Sequence, residues 1–129
     1  MVKGAKLGES ARTAFMTRGL SEMINLGSAM GAKIDTFYGL SGLGDLALSC
    51  NSVQSRNFTL GLNFSNNFDT HLHNTIEGIK TASAAKKLTK KYNVETPIID
   101  TVDLILKKKS SVTSSIEDLL SRPLKEEMR

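Results

Sequence analysis

Residues 10–32, SARTAFMTRGLSEMINLGSAMGA, form the longest uninterrupted helical pattern in the chain. The stretch contains neither proline nor a cluster of turn-forming residues, and Ser10 has the side chain of a good N-cap. Its apolar residues recur at spacings of three and four, as on one face of a helix: Ala14, Phe15, Met16, Leu20, Met23, Ile24 and Leu26. The pattern predicts one long, mostly buried helix.

Shorter helices follow this stretch. Asp35 is a cap candidate before the short apolar segment TFYGL, and GDLALSC, residues 44–50, predicts another short helix. Ser52 is the cap candidate for a third, which carries VQSRNFTLGLNF. The polar stretch SNNFDTHLHN, residues 65–74, is rich in turn formers and predicts a loop.

The second half of the chain is also helical in pattern. Residues 75–93 have an apolar face opposite lysines, and Pro97 suits the first position of the next helix. Ser114 and Glu117 have the spacing of a capping box before a last helix, which Pro123 closes. The apolar face of residues 75–93 is made of Ile76, Ile79, Ala82, Ala85 and Leu88. Because no segment alternates as a strand does, we predict an all-α fold, with residues 1–129 as a single helical domain.

Composition narrows the class of protein. The 129 residues hold 17 Lys and Arg against 13 Asp and Glu, a net charge of +4, and no Trp. Nucleic-acid binders usually combine a denser basic surface with aromatic residues, so the composition disfavours nucleic acid as a partner. There is also no apolar run long enough for a membrane span and no signal peptide, which predicts a cytoplasmic protein.

Cysteine and histidine usage argues against a metal site. Cys50 is the only cysteine, which excludes an intrachain disulfide and a zinc site built on several cysteines, and it favours a reducing compartment. His71 and His73 are two residues apart and poorly placed to share one helix face. We therefore predict no bound metal.

The stretch GLGDLALSCNSVQSRN, residues 42–57, raises a question of function. Its start matches G-x-G-x-x-A, the dinucleotide-binding fingerprint, but the fingerprint requires a preceding strand and here follows the helix-like IDTFYGLS. The glycines therefore predict a tight turn or a close helix crossing. Asp45 is either a helix cap or a group that orients a hydroxyl or an amine.

Arg56 offers a planar donor fork suited to a phosphate, with Ser55 and Asn57 beside it as further donors. The alternative is an arginine that is solvated on a helix face. Spacing alone does not decide between the two. A second basic region allows an anion-binding interpretation or, more simply, solvated helix faces; it consists of Lys86, Lys87, Lys90, Lys91 and residues 107–109.

Five blocks, in a fixed order, carry a resemblance to a known family. They are ARTAFMTRGLSEM, TFYGLSGLGDLALSC, QSRNFTLG, TIEG and VETPI, and they span roughly residues 10–100. In these blocks the chain resembles the C-terminal, substrate-binding domain of bacterial NAD(P)-dependent glycerol-3-phosphate dehydrogenases. The combination of GLGDL, a cysteine and SRN is the most specific part of this resemblance.

The resemblance implies a multi-helix domain similar to the C-terminal domains of the 6-phosphogluconate dehydrogenase-like superfamily, behind an N-terminal Rossmann domain. It implies interconversion of glycerol 3-phosphate and dihydroxyacetone phosphate with NAD or NADP, for phospholipid synthesis. The implied roles are support of the lysine base and substrate binding for Asp45, substrate binding for Ser55, Arg56 and Asn57, and cofactor contacts for Arg56, Thr75 and Glu77. Ser49 is a weaker candidate.

Parts of the family pattern are missing from this chain. The family's catalytic lysine lies in a Lys-Asn pair, which does not occur here, and neither Lys3 nor Lys6 matches it. The Rossmann domain is also absent. We therefore expect a truncated product without dehydrogenase activity of its own and without tightly bound cofactor, and an exposed apolar face that promotes self-association. The alternative is a non-enzymatic helical dimerisation or anion-binding module.

Overall fold

The computed structural model describes residues 1–2, 8–52, 61, 72–107 and 111–122, with the backbone alone for 72–77. These residues contain no strand, and the all-α prediction is confirmed. Pro97 begins a helix as predicted, and the amphipathic pattern after residue 75 lies on one long helix. The helices are α1 (Glu9–Ala29), α2 (Ile34–Phe37), α3 (Asp45–Asn51), α4 (Leu72–Lys91), α5 (Pro97–Leu106) and α6 (Val112–Ser121).

The first two predicted caps are wrong by about two residues. Helix α1 begins at Glu9 after Gly8, which makes no side-chain cap, so Ser10 lies inside the first turn. Helix α2 begins at Ile34 after Lys33, and Asp35 likewise lies in the first turn. A carboxylate there complements the positive end of the helix dipole without acting as the cap.

Two other boundaries also differ from the sequence prediction. The cap of α6 is Ser111, whose hydroxyl accepts from the backbone N–H of Ser114 at 3.2 Å, so the capping box predicted at Ser114 is wrong. Helix α4 already begins at Leu72, so the predicted loop is wrong for residues 72–74. Residues 65–71 of that loop and Pro123 lie outside the described residues, and so does the helix predicted after Ser52 except for Gly61, which is helical.

The core lies where α5 packs between α4, α6 and α1. Helix α1 covers only one side of it, since Glu22 and Ile24 are its only buried residues, and the prediction of a mostly buried helix is wrong. No helix in the described part is long and apolar enough to span a bilayer. The buried apolar side chains are Ile24, Ala82, Ile105, Leu106, Ile116 and Leu119.

A buried carboxylate joins α1 to the start of α5. Glu22 is 7% exposed, and its oxygens accept from the backbone N–H groups of Ile98 at 2.8 Å and Ile99 at 3.2 Å. The residue before the helix, Thr96, makes no side-chain cap. A side chain from another helix therefore satisfies N–H groups that every helix start leaves without an intrahelical partner.

Burial raises the pKa of Glu22 to about 7, and nearby Asp100 adds to the increase. The two backbone N–H groups and the charge of Arg122 act in the opposite direction. The folded chain consequently binds this proton more tightly than the unfolded chain does. The stability linked to the proton is complete below pH 4.5 and is lost as the pH rises through about 7.

Glu22→Gln removes this titration. We expect the free energy of unfolding of the unsubstituted chain, relative to that of the variant, to fall by up to about 3 kcal/mol as the pH rises from 4.5 to 7. Urea unfolding at several pH values measures the difference between the two free energies of unfolding. The contributions of the other titrating groups cancel because both proteins contain them. Parallel pH profiles for the two proteins would contradict the linkage.

The glycine-rich segment between α2 and α3 forms a widened helical turn, Leu40–Gly44, with a π-type bond from the Gly44 N–H to the Gly39 oxygen of 3.2 Å. Gly42 is buried there against the backbone of Phe37, and a Cβ on Gly42 would overlap its carbonyl and lie 2.5 Å from its Cα. On the other side, the Phe37 ring occupies the space where Gly27 of α1 would carry a Cβ. The tight turn predicted for the glycines of GLGDL is confirmed, and at Gly42 its physical cause is the close approach of two backbone segments.

Gly42→Ala should therefore destabilise the chain by about 1–3 kcal/mol, since it is backbone that would have to move. Gly19→Ala is the matched control, because nothing lies within 4 Å of its added Cβ in the middle of α1. The control should gain about 0.5–1 kcal/mol from its higher helix propensity. Thermal unfolding of the two variants measures both effects, and equal shifts would contradict the close-packing argument.

Candidate functional site

Asp45 is the first residue of α3, directly after the widened turn, and its side chain is exposed. Gly44 precedes it in helical conformation and makes no side-chain cap. The turn thus passes without interruption into α3 and holds the carboxylate at the surface, where a bound molecule can reach it. The short helix predicted for GDLALSC is confirmed.

The structure describes the other predicted site residues to different extents: some with their side chains, some by backbone alone and some not at all. Ser49 lies on α3 and is exposed. Ser55, Arg56 and Asn57 lie outside the described residues. Thr75 and Glu77 belong to the backbone of α4, and their side chains lie outside the description. The structure therefore supplies a position for Asp45 and Ser49 and leaves the proximity of the full set as a prediction.

Helix α1 holds the C-terminal end of α3. Arg12 Nη2 donates to Asn51 Oδ1 at 2.6 Å and lies 3.4 Å from the carbonyl oxygen of Cys50. Asn51 Nδ2 in turn donates to the Ala47 oxygen at 2.7 Å. After Asn51 the chain takes an extended conformation at Ser52.

Cys50 is half-buried near the end of α3. Burial raises the pKa of its thiol, and the positive charges of Arg12 and of the chain amino terminus oppose the increase. Burial also lowers the pKa of the Met1 amine. A thiol with a raised pKa is mostly protonated at neutral pH and is therefore a weak nucleophile.

Apolar side chains surround Asp45 in the sequence and are exposed in the structure. Of the eight large apolar side chains that the described residues expose, six lie between residues 30 and 48, with Leu40 at 91% and Leu48 at 62%. The other four are Met30, Ile34, Tyr38 and Leu43. This concentration in elements that contact one another, α2, the widened turn and α3, marks a surface suited to a partner.

The basic region of α4 and α5 is organised around Asp103, which is 2% exposed. Its Oδ2 lies 3.0 Å from Lys107 Nζ and 3.9 Å from Lys86 Nζ, and its Oδ1 accepts from Ser83 at 3.3 Å. The hydrogen bond from Lys107 lowers the pKa of Asp103 against its burial, assisted by the charge of Lys107, by Ser83 and by Lys86. Two of the lysines considered as an anion site thus already have a buried carboxylate as partner.

No group of three or more His, Cys, Asp or Glu side chains in the described ranges is arranged to hold a metal ion. Local sequence patterns did not indicate the roles of Arg12 and Asp103. Each is a charged residue within a helical pattern, and its partners are on other helices or a turn away. For Glu22 the only local signal is its place directly before Met23 and Ile24 in the apolar pattern of residues 10–32.

A family model described as the NAD-dependent glycerol-3-phosphate dehydrogenase C-terminus matches residues 1–117. The chain is 47% identical over 128 residues to a glycerol-3-phosphate dehydrogenase [NAD(P)+] of Ruegeria and 46% identical over 132 residues to that of Rhodospirillum rubrum. Both alignments cover 98% of this chain and 39% and 38% of those proteins.

A solved structure resembles the fold. The crystal structure of glycerol-3-phosphate dehydrogenase from Coxiella burnetii superposes with a TM-score of 0.86 at 37% identity, over 94% of this chain and 39% of that one. The chain therefore spans about two fifths of the length of the relatives it matches. The resemblance inferred from the five sequence blocks is confirmed.

Proposed function

Since the chain belongs to the family of the NAD-dependent glycerol-3-phosphate dehydrogenase C-terminus, we propose that residues 1–129 form the helical, substrate-binding domain of such an enzyme. The whole enzyme would interconvert glycerol 3-phosphate and dihydroxyacetone phosphate. The observation that carries the proposal is the exposed Asp45 at the start of α3, within the GLGDL motif and among exposed apolar side chains. A cytoplasmic location stays a prediction.

The described residues form no strand, so they do not provide the parallel sheet on which a dinucleotide pyrophosphate binds in a Rossmann fold. The main cofactor site would belong to the remaining three fifths of the enzyme, and this chain would add contacts from Arg56, Thr75 and Glu77. When bound, the nicotinamide supplies or accepts the hydride at C2 of the substrate. We propose that the 129 residues alone have no turnover.

The chain's own residues would bind and orient the substrate. Arg56 would neutralise the phosphate, which carries nearly two charges, through a fixed pair of donors, and Ser55 and Asn57 would add hydrogen bonds. Asp45 would lie beside the substrate hydroxyls and the lysine that exchanges the hydroxyl proton, a residue that this chain does not contain. A carboxylate next to that ammonium group would orient it and adjust its pKa.

Binding of sn-glycerol 3-phosphate to the chain tests the proposal. We expect NMR titration to detect weak binding, and Arg56→Ala to weaken it by roughly 10- to 100-fold because a charge-assisted pair is lost. Arg122→Ala is the matched control, since Arg122 is half-exposed and pairs with Glu95 at 2.8 Å. Equal losses in both variants would point to unspecific attraction of an anion, and absence of binding at millimolar ligand would contradict the proposal.

The exposed apolar surface between residues 30 and 48 supports a second proposal, which concerns partners. In the whole enzyme this surface would face the N-terminal domain, with the substrate between the two domains. In the isolated chain we propose that a second copy covers it, because a concentrated apolar surface gains free energy when it leaves water.

We therefore expect the average mass in sedimentation equilibrium to rise with protein concentration and Leu40→Glu to shift it towards the monomer. Leu40 is 91% exposed, so the charge should not disturb packing within the chain. Leu120→Glu is the control, at 44% exposure on α6, away from this surface in the sequence. A monomeric mass at all concentrations would rule out the second copy.

A further inference from the structure

Arg12 contacts the C-terminal end of α3 through hydrogen bonds from a charged side chain. Helix α3 has no basic residue in its last turn, and Arg12 brings a positive charge there from 38 residues earlier in the chain. Its Nη2 reaches Asn51 Oδ1 at 2.6 Å, and Asn51 closes the turn by donating to Ala47. The charge therefore lies at the negative end of the helix dipole, where a cation is favourable.

Helix α3 carries the described residues of the candidate site, Asp45 and Ser49. Asp45 is its first residue and Asn51 its last, and the six residue steps between them rise about 9 Å. The segment with Ser55, Arg56 and Asn57 starts a few residues after the end that Arg12 holds. A rotation or shift of α3 about the end that Arg12 holds would move the carboxylate of Asp45.

We propose that Arg12 is a positioning residue for substrate binding. By fixing the C-terminal end of α3 against α1, Arg12 sets the direction of this helix and thereby the position of the Asp45 carboxylate at its first residue. It acts through α3 and needs no contact with the substrate itself. The proposal rests on the proposed function, because it presupposes that Asp45 lies beside the bound substrate.

Arg18 provides a matched control on the same helix. Its Nη1 donates to the carbonyl oxygen of Leu119, near the end of α6. Like Arg12, it is an α1 arginine that binds the C-terminal end of another helix, but α6 carries none of the candidate site residues. Arg18→Gln thus removes the same kind of contact at a place where substrate binding should not respond.

Cys50 reports on the end of α3, since it is the only cysteine and lies next to Asn51. If Arg12 holds this end, Arg12→Gln should expose the thiol and speed its reaction with a disulfide reagent several-fold. Loss of the nearby positive charge alone would have the opposite effect, because the charge lowers the pKa of the thiol. Arg18→Gln should leave the labelling rate unchanged. A rate in Arg12→Gln that is unchanged or lower would overturn the proposal.

The second measurement is the affinity for sn-glycerol 3-phosphate by NMR titration. We expect Arg12→Gln to weaken binding roughly tenfold, Arg12→Lys to recover part of the loss, and Arg18→Gln to bind as the unsubstituted chain does. Normal affinity in Arg12→Gln, or equal losses in Arg12→Gln and Arg18→Gln, would overturn the positioning role alone. If the unsubstituted chain does not bind at all, the proposed function fails, and the positioning role fails with it.

Discussion

The buried carboxylate of Glu22 is the constraint on which the arrangement of helices depends. It ties the middle of α1 to the first N–H groups of α5, the helix that packs against α4 and α6 in the core. Removing a charge from water is costly, and donors that would otherwise have no partner offset part of that cost. Because a helix start presents such donors in a fixed direction, the bond specifies where α5 begins relative to α1.

Helix α1 also contacts two further helices through charged side chains. Arg12 binds the C-terminal end of α3 and Arg18 that of α6, while Glu22 binds the N-terminal end of α5. In each case the sign of the side chain opposes the partial charge of the helix end that it contacts. Helix α1 thus orients three helices through their ends, although only one of its apolar side chains, Ile24, is fully buried.

The sequence predicted the helices well and their ends less well. The spacing of apolar residues and Pro97 indicated α1, α4 and α5 correctly, since these signals come from each segment itself. Ser10, Asp35 and Ser114 were assigned as caps because their side chains suit the role, but Gly8, Lys33 and Ser111 occupy the cap positions. Neither Gly8 nor Lys33 makes a side-chain cap, so the cap preferences of Ser10 and Asp35 did not determine where these two helices begin.

The candidate site was only partly accessible to such reasoning. The absence of a strand before GLGDL correctly indicated a turn, and the backbone of Phe37 against Gly42 gives the physical reason for the glycine. The significance of SRN came from resemblance, because spacing could not separate a phosphate-binding arginine from a solvated one. The partners of Arg12 and Glu22 lie 39 and 76 residues away, a separation at which no local pattern indicates a contact.

These long separations also bear on how the chain reaches its fold. The helix-end contacts of α1 span 39, 76 and 101 residues, so loops of very different length must close before each charge meets its partner. Helical proteins usually fold fast because most of their contacts are local. Here the contacts that orient the helices join α1 to residues as far as 101 positions along the chain, so the side chains of Arg12, Arg18 and Glu22 stay hydrated until α3, α6 and α5 present their ends.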